Sequence, residues 1–124
     1  MKHFIRLLII LAGLTACNKP QEKLIGRWDD KNGLILEFKK GNKAQGIFYT
    51  KTSRDTFEMN YKADLSITPH QLDLTDIKSG PLEGKTLYGI MEFNGATTLS
   101  FDCAPSSRPT TFSPKETVTY FKMK

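Results

Sequence analysis

Past residue 17 of this 124-residue sequence stand one thiol and one imidazole, Cys103 and His70, which could in principle pair as a nucleophile and its base. A catalytic pair needs the two within hydrogen-bond reach and a third group to orient the base. The spacing supplies neither. A metal centre needs several His, Cys or carboxylate ligands at workable separations, and no such cluster can be read here. Asp73, Glu92 and Asp102 alternate with apolar residues, which places them on a solvent face. Ser79-Gly80-Pro81-Leu82-Glu83-Gly84 lacks the Lys and the following helix of a phosphate-binding loop. Arg108, just before Pro109, has two readings. Its planar fork could guard a cavity mouth and bind an anionic group, or it could pair with Asp73 or Asp102 while Pro109 holds the loop extended. The expectation is a protein that is not an enzyme and that has no metal and no cofactor.

The elements that must position these groups begin after residue 16. Lys2 and Arg6 precede the apolar run Leu7–Leu14, the order of a secretory signal peptide. From Leu7 to Cys17 the run is about half the ~20 residues a membrane-spanning helix requires. Leu14-Thr15-Ala16-Cys17 resembles the lipobox of bacterial lipoproteins. The resemblance implies cleavage before Cys17 and acylation of that residue on sulfur and amine, and several acyl chains suffice for stable anchoring. Asn18 stands where an Asp would favour inner-membrane retention, so the resemblance implies an outer-membrane lipoprotein facing the periplasm. Residues 1–16 are then the signal peptide, 17–23 the lipidated Cys and its tether, and 24–124 the folded domain. With Cys17 acylated, Cys103 is the one thiol left, so no internal disulfide forms and Cys103 reads as a small buried residue.

Composition fits a single small globular domain: 25% charged, 39% hydrophobic and 10% aromatic, with net charge +5. Without residues 1–16, and so without Lys2 and Arg6, the charge is +3. Such a surplus gives no argument for nucleic acid. Beyond the tether the hydrophobic pattern has period two. Phe57-Glu58-Met59-Asn60-Tyr61-Lys62-Ala63-Asp64 alternates without error; Leu34, Leu36 and Phe38 alternate with Glu37 and Lys39, and Leu99, Phe101 and Cys103 with Ser100 and Asp102, the mark of strands with one buried face. Turn residues at Asp30–Gly33, Lys40–Asn42, Asn94-Gly95, Thr68–His70 and Ser79–Pro81 separate them. Eight strands are expected near 24–29, 34–39, 44–50, 56–64, 71–76, 85–93, 97–103 and 117–123. An all-β, antiparallel up-and-down arrangement of eight strands closes most naturally into a barrel, because closure removes exposed edges.

Gly26-Arg27-Trp28 on the first strand resembles the Gly-x-Trp that opens lipocalin barrels, where the Trp plugs the closed end. Further on stand Pro69-His70-Gln71-Leu72-Asp73-Leu74, Leu87-Tyr88-Gly89-Ile90, Leu99-Ser100-Phe101-Asp102-Cys103 and Arg108-Pro109-Thr110-Thr111-Phe112. Their order resembles a family of small bacterial lipocalin-like domains across roughly residues 24–123. Met91 departs from it, standing where an aromatic is common. The resemblance implies a barrel and carries no catalytic residues.

An eight-stranded barrel is near the size at which side chains fill the interior or leave room for one ligand. The expected inward set is Trp28, Leu34, Leu36, Phe38, Phe57, Met59, Tyr61, Leu87, Met91, Phe93, Leu99 and Phe101. Within it Trp28, Leu36, Phe38, Phe57, Met59, Tyr61, Met91 and Phe101 are the candidate ligand contacts, and Arg108 is the candidate loop contact to an anion. The expected function is a monomeric, membrane-anchored binding protein for a small apolar molecule. The alternative is an envelope-tethered module with a filled barrel that engages a protein or glycan. For that alternative Tyr49, Tyr88 and Ile90 are the expected exposed patch. Lys39, Lys40 and Lys43 read as a solvated hairpin tip, with contact to anionic lipid as the other reading.

Overall fold

The computed structural model describes residues 22–124; Cys17 and the apolar run before it lie outside them. Eight strands form: β1 Gly26–Asp29, β2 Leu34–Lys39, β3 Lys43–Tyr49, β4 Arg54–Asp64, β5 His70–Thr75, β6 Leu87–Asn94, β7 Thr98–Ala104 and β8 Val118–Lys122. Each pairs antiparallel with its sequence neighbours, and β1 also pairs with β8, closing an up-and-down barrel. The seam between β1 and β8 has two register pairs, Trp28↔Lys122 and Asp29↔Phe121.

Strand boundaries follow local chemistry. Between β1 and β2, Asp30 Oδ1 accepts the N–H groups of Asn32 (2.7 Å) and Leu34 (3.0 Å), and Lys31 adopts φ 59°. A short side-chain acceptor of this kind stabilises a turn against continued strand. The first strand starts at Gly26, two residues later than the pattern predicts. Residues 22–24 instead make one helical turn, and Gly26 at φ 132° redirects the chain into β1. That conformation is open to glycine and strained for other residues.

Alternation gives the barrel two faces. All twelve expected inward residues belong to the core cluster or pack against it, joined by Leu24, Ala44, Leu72, Leu74, Ile77 and Tyr120. Two interior glycines make room for aromatic rings. A Cβ on Gly46 would lie 2.1 Å from the ring of Phe57, and one on Gly89 would lie 2.3 Å from the ring of Phe101 and 2.7 Å from the carbonyl oxygen of Leu72. The rings thus cover backbone where no side chain stands.

The outer face differs from expectation. Ile90 and Asp102, partners in the β6–β7 register, are buried. The reason is the connection from Pro105 to Thr117, which crosses this wall. Arg108 donates to the Gly89 carbonyl (2.8 Å), and Asp102 Oδ2 accepts the Ser113 N–H (3.0 Å). Tyr49 is half-buried and donates to Asp29 Oδ1 (2.8 Å). Of the three residues expected to form an exposed aromatic and aliphatic patch, only Tyr88 is exposed.

Candidate functional site

The two ends of the barrel are unlike. At the end where the chain enters, Trp28 is 1% exposed and its indole N–H donates to the Leu24 carbonyl at 2.8 Å. Phe93 packs beside it, ring centroids 6.1 Å apart. Lys122 lies inward with its ammonium 5.2 Å from the indole, donating to the carbonyls of Ile25 (3.2 Å) and Lys23 (3.4 Å). The cation thus sits on an aromatic face while its protons satisfy the end of the helical turn. Phe38, opposite Gly26 in the β1–β2 register, meets Tyr61 edge to face at 5.0 Å. The Tyr61 hydroxyl donates to the Lys39 carbonyl at 2.9 Å, so a buried phenol keeps a partner.

The opposite end is open. There the interior retains an apolar cavity of about 140 Å³, close to the size that admits one benzene-sized group. Leu34, Leu36, Met59, Leu74, Phe101 and Tyr120 form its walls, with Phe48 and Phe57 stacked at the rim, centroids 5.1 Å apart. Phe48 is 44% exposed although it points to the barrel axis, because it stands at the mouth. Ile77 and Leu82 from the β5–β6 connection, with Val118 and Glu116 across from them, complete the opening.

Of the eight candidate ligand contacts, Leu36, Phe57, Met59 and Phe101 line this cavity. Trp28, Phe38, Tyr61 and Met91 belong to the buried core cluster and are not among the cavity's lining residues. Period two identifies inward residues but carries no height along the barrel axis, so it does not distinguish wall from plug. Sequence reasoning missed Ile77 and Leu82, which lie on a connection without periodicity. It also missed Phe48, Val118 and Tyr120. In the last strand the adjacent Tyr120-Phe121 obscures the alternation.

Cavity chemistry is neutral. Burial, with a smaller contribution from the Asp102 charge, pushes the Cys103 thiol up to about 11. Burial also raises the Tyr120 phenol, helped by Asp30 and Cys103. Neither ionises near neutral pH, so Glu116 at the rim is the one charged group of the lining. His70 is distant from this chemistry. It sits at the closed end beside Phe93 (6.0 Å), its Nδ1 2.8 Å from the Ile67 carbonyl oxygen. The fold does not bring His70 and Cys103 together. Among the described residues, no group of three or more His, Cys, Asp or Glu could hold a metal ion.

Arg108 is on the outer wall. Nη1 and Nη2 donate to the two Asp73 oxygens at 2.6 and 3.0 Å, and the guanidinium lies 5.8 Å from the Tyr88 ring. The fork is committed to Asp73, so the pairing within the fold holds and the mouth is lined without it. A second hollow, a groove of about 560 Å³, lies on the outside near the closed end. Thr68, Pro69, His70, Phe93 and the segment Thr110–Phe112 border it. Compared with protein-family models, with curated proteins and with solved structures, the chain gives no match.

Proposed function

We propose that this chain is a cell-envelope lipoprotein, anchored through acyl chains on Cys17, whose lipocalin-like barrel binds a small apolar molecule at its open end. The observation that carries the reading is the cavity: apolar, open at one end of the barrel, and with Glu116 as the one acidic residue of its lining. A pocket lined by carbon with few polar groups takes its affinity from apolar burial. At about 140 Å³ it accepts one ring or the end of an acyl chain and leaves the rest of the ligand at the Phe48–Phe57 rim.

Native mass spectrometry on the domain, secreted with Cys17 replaced, tests this. The expected spectrum contains an adduct that disappears on denaturation and is weakened by Leu36→Trp, which fills the cavity. A bare mass after exposure to envelope lipid extract refutes the carrier reading. Acylation is tested separately, by the mass of the N-terminal peptide and by release of a Cys17→Ala variant from membranes. The outer groove beside His70 and Phe93 favours the second reading, a module for an envelope protein or glycan. Crosslinking from Thr111 identifies such a partner.

A further inference from the structure

The β2–β3 hairpin carries a charge arrangement that fold stability does not explain. Lys39 and Lys43 are directly opposite in the register, Lys40 adjoins them at the tip, and all three are exposed. Like charges facing each other across a strand pair are destabilising. Lys39 and Lys43 also border a surface hollow on the barrel wall with Glu58 and with Lys78 of the β5–β6 connection. The strand order puts this tip at the closed end, with Lys23 before β1 and Lys124 after β8, both exposed. Exposed lysines at this end (Lys23, Lys39, Lys40, Lys43 and Lys124) outnumber the exposed acids Glu22 and Asp64, whereas three of the four open-end connections carry both signs: Lys31 with Asp30, Lys85 with Glu83 and Lys115 with Glu116.

Apolar side chains are exposed at both ends. Phe48 and Val118 belong to the cavity mouth, but Ile67, on the β4–β5 connection and 40% exposed, and Met123, just past β8 and 37% exposed, line no cavity described above. In the ring of strands the two lie on opposite sides of the closed-end rim. Exposed apolar side chains among lysines suit a headgroup layer. There the ammonium groups meet phosphates and the apolar groups enter the acyl boundary.

We infer that the closed end of the barrel is a docking face for an anionic phospholipid bilayer, and that the cavity consequently opens away from that bilayer. The chain enters the fold at this end. Six residue steps separate Cys17 from Lys23, a reach of at most roughly 21 Å when extended. An anchor at Cys17 therefore holds this face near the membrane, but the charge and apolar arguments stand without it. In this orientation cargo arrives from the aqueous side or from a facing protein, and not by lateral entry from the lipid beneath.

The test uses residues 22–124, a closed barrel with every strand paired on both sides, so that Cys17 plays no part. Sedimentation with phosphatidylcholine vesicles is compared with vesicles containing phosphatidylglycerol, at low and high salt. The expected result is binding to the anionic vesicles only, reversed by salt. Each lysine removed lowers partitioning about fivefold, so K39Q/K40Q/K43Q lowers it on the order of 100-fold. This variant also relieves the Lys39–Lys43 opposition, so its urea midpoint should equal or exceed that of the parent. The open-end set K51Q/K85Q/K115Q should change partitioning far less. In a Cys103→Ser background, an environment-sensitive dye on I67C should shift to the blue on binding, and the same dye on T52C should not. Equal partitioning to neutral vesicles, equal losses for the two lysine sets, or a shift at T52C alone overturns the inference. None of these results depends on the cavity, whose cargo the native mass measurement tests on its own.

Discussion

The two interior glycines make a differential prediction that depends on what each one faces. Neither has a backbone angle reserved for glycine, so replacement by alanine introduces a steric effect alone. At Gly89 the new methyl would be 2.7 Å from the Leu72 carbonyl oxygen as well as 2.3 Å from the Phe101 ring. The carbonyl belongs to a strand paired on both sides and cannot move without disturbing two ladders. At Gly46 all three nearest atoms belong to the Phe57 ring, and that ring stands at the open mouth beside the cavity, where it has room to turn. Overpacking of a core costs about 1–3 kcal/mol, so Gly89→Ala should lie near 3 kcal/mol and Gly46→Ala near 1 kcal/mol. For a domain of this size that is a fall in Tm of roughly 12–24 °C against 4–8 °C. Urea unfolding followed by Trp28 fluorescence measures both, with the slope m unchanged if only the native state is affected. Phe57→Leu should rescue Gly46→Ala almost fully, whereas Phe101→Leu should rescue Gly89→Ala only in part, since the carbonyl remains. A loss at Gly46→Ala as large as that at Gly89→Ala refutes the reasoning. It would mean that the mouth is as rigid as the paired strands.

Arg108→Ala removes a two-pronged contact to Asp73 and the bond to Gly89, and should cost about 2 kcal/mol in urea unfolding. A smaller loss in Asp73→Ala/Arg108→Ala than in Arg108→Ala would show that the stranded carboxylate carries part of the cost. Cys103 should react with iodoacetamide on the order of 100-fold more slowly at neutral pH than in the unfolded chain, because its thiolate is scarce. Its raised value also links to stability. Below the ordinary thiol value of 9.0 both states are protonated and the contribution is fully present; it is lost as pH rises towards about 11, because the unfolded chain ionises first. Urea midpoints between pH 8 and 11 should therefore fall, and fall less in Cys103→Ala. Trp28→Phe deletes the indole donor to Leu24 and should cost about 1–2 kcal/mol, with earliest loss of hydrogen-exchange protection in residues 22–25.

The β elements were readable because strand patterning is local. Met59 and Tyr61 announce their face through Glu58, Asn60 and Lys62, and Asp30–Gly33 announces a turn through its side chains. The strand count, the antiparallel order and the inward residues follow from such signals. What the pattern leaves open is placement in the third dimension. Leu36 and Phe38 look alike in sequence, yet the first borders a cavity and the second is packed below it, because the lean of the strands sets height and periodicity does not. Asp102 and Ile90 read as solvent-facing until the long β7–β8 connection is laid over them. A cover supplied by an aperiodic loop leaves no trace in the strands that it covers. Arg108 could be narrowed to two readings, and only coordinates distinguish a partner 35 residues away from a ligand.

The two-pair seam between β1 and β8 bears on how the barrel folds. Every other strand contact joins sequence neighbours, so those hairpins can form early and at small entropic cost. The seam alone must bring together the two ends of the domain, which makes it the slowest contact to establish and the first to open. Until it closes, the meander is an open sheet with β1 and β8 as free edges, each able to pair with the matching edge of another chain. Refolding at high protein concentration should therefore yield strand-exchanged dimers joined at this seam, whereas dilute refolding should give monomers. If size-exclusion profiles after refolding do not change with concentration, closure is faster than encounter. The lipid face described above would make this kinetic competition matter, because molecules held on one surface meet more often than molecules free in solution.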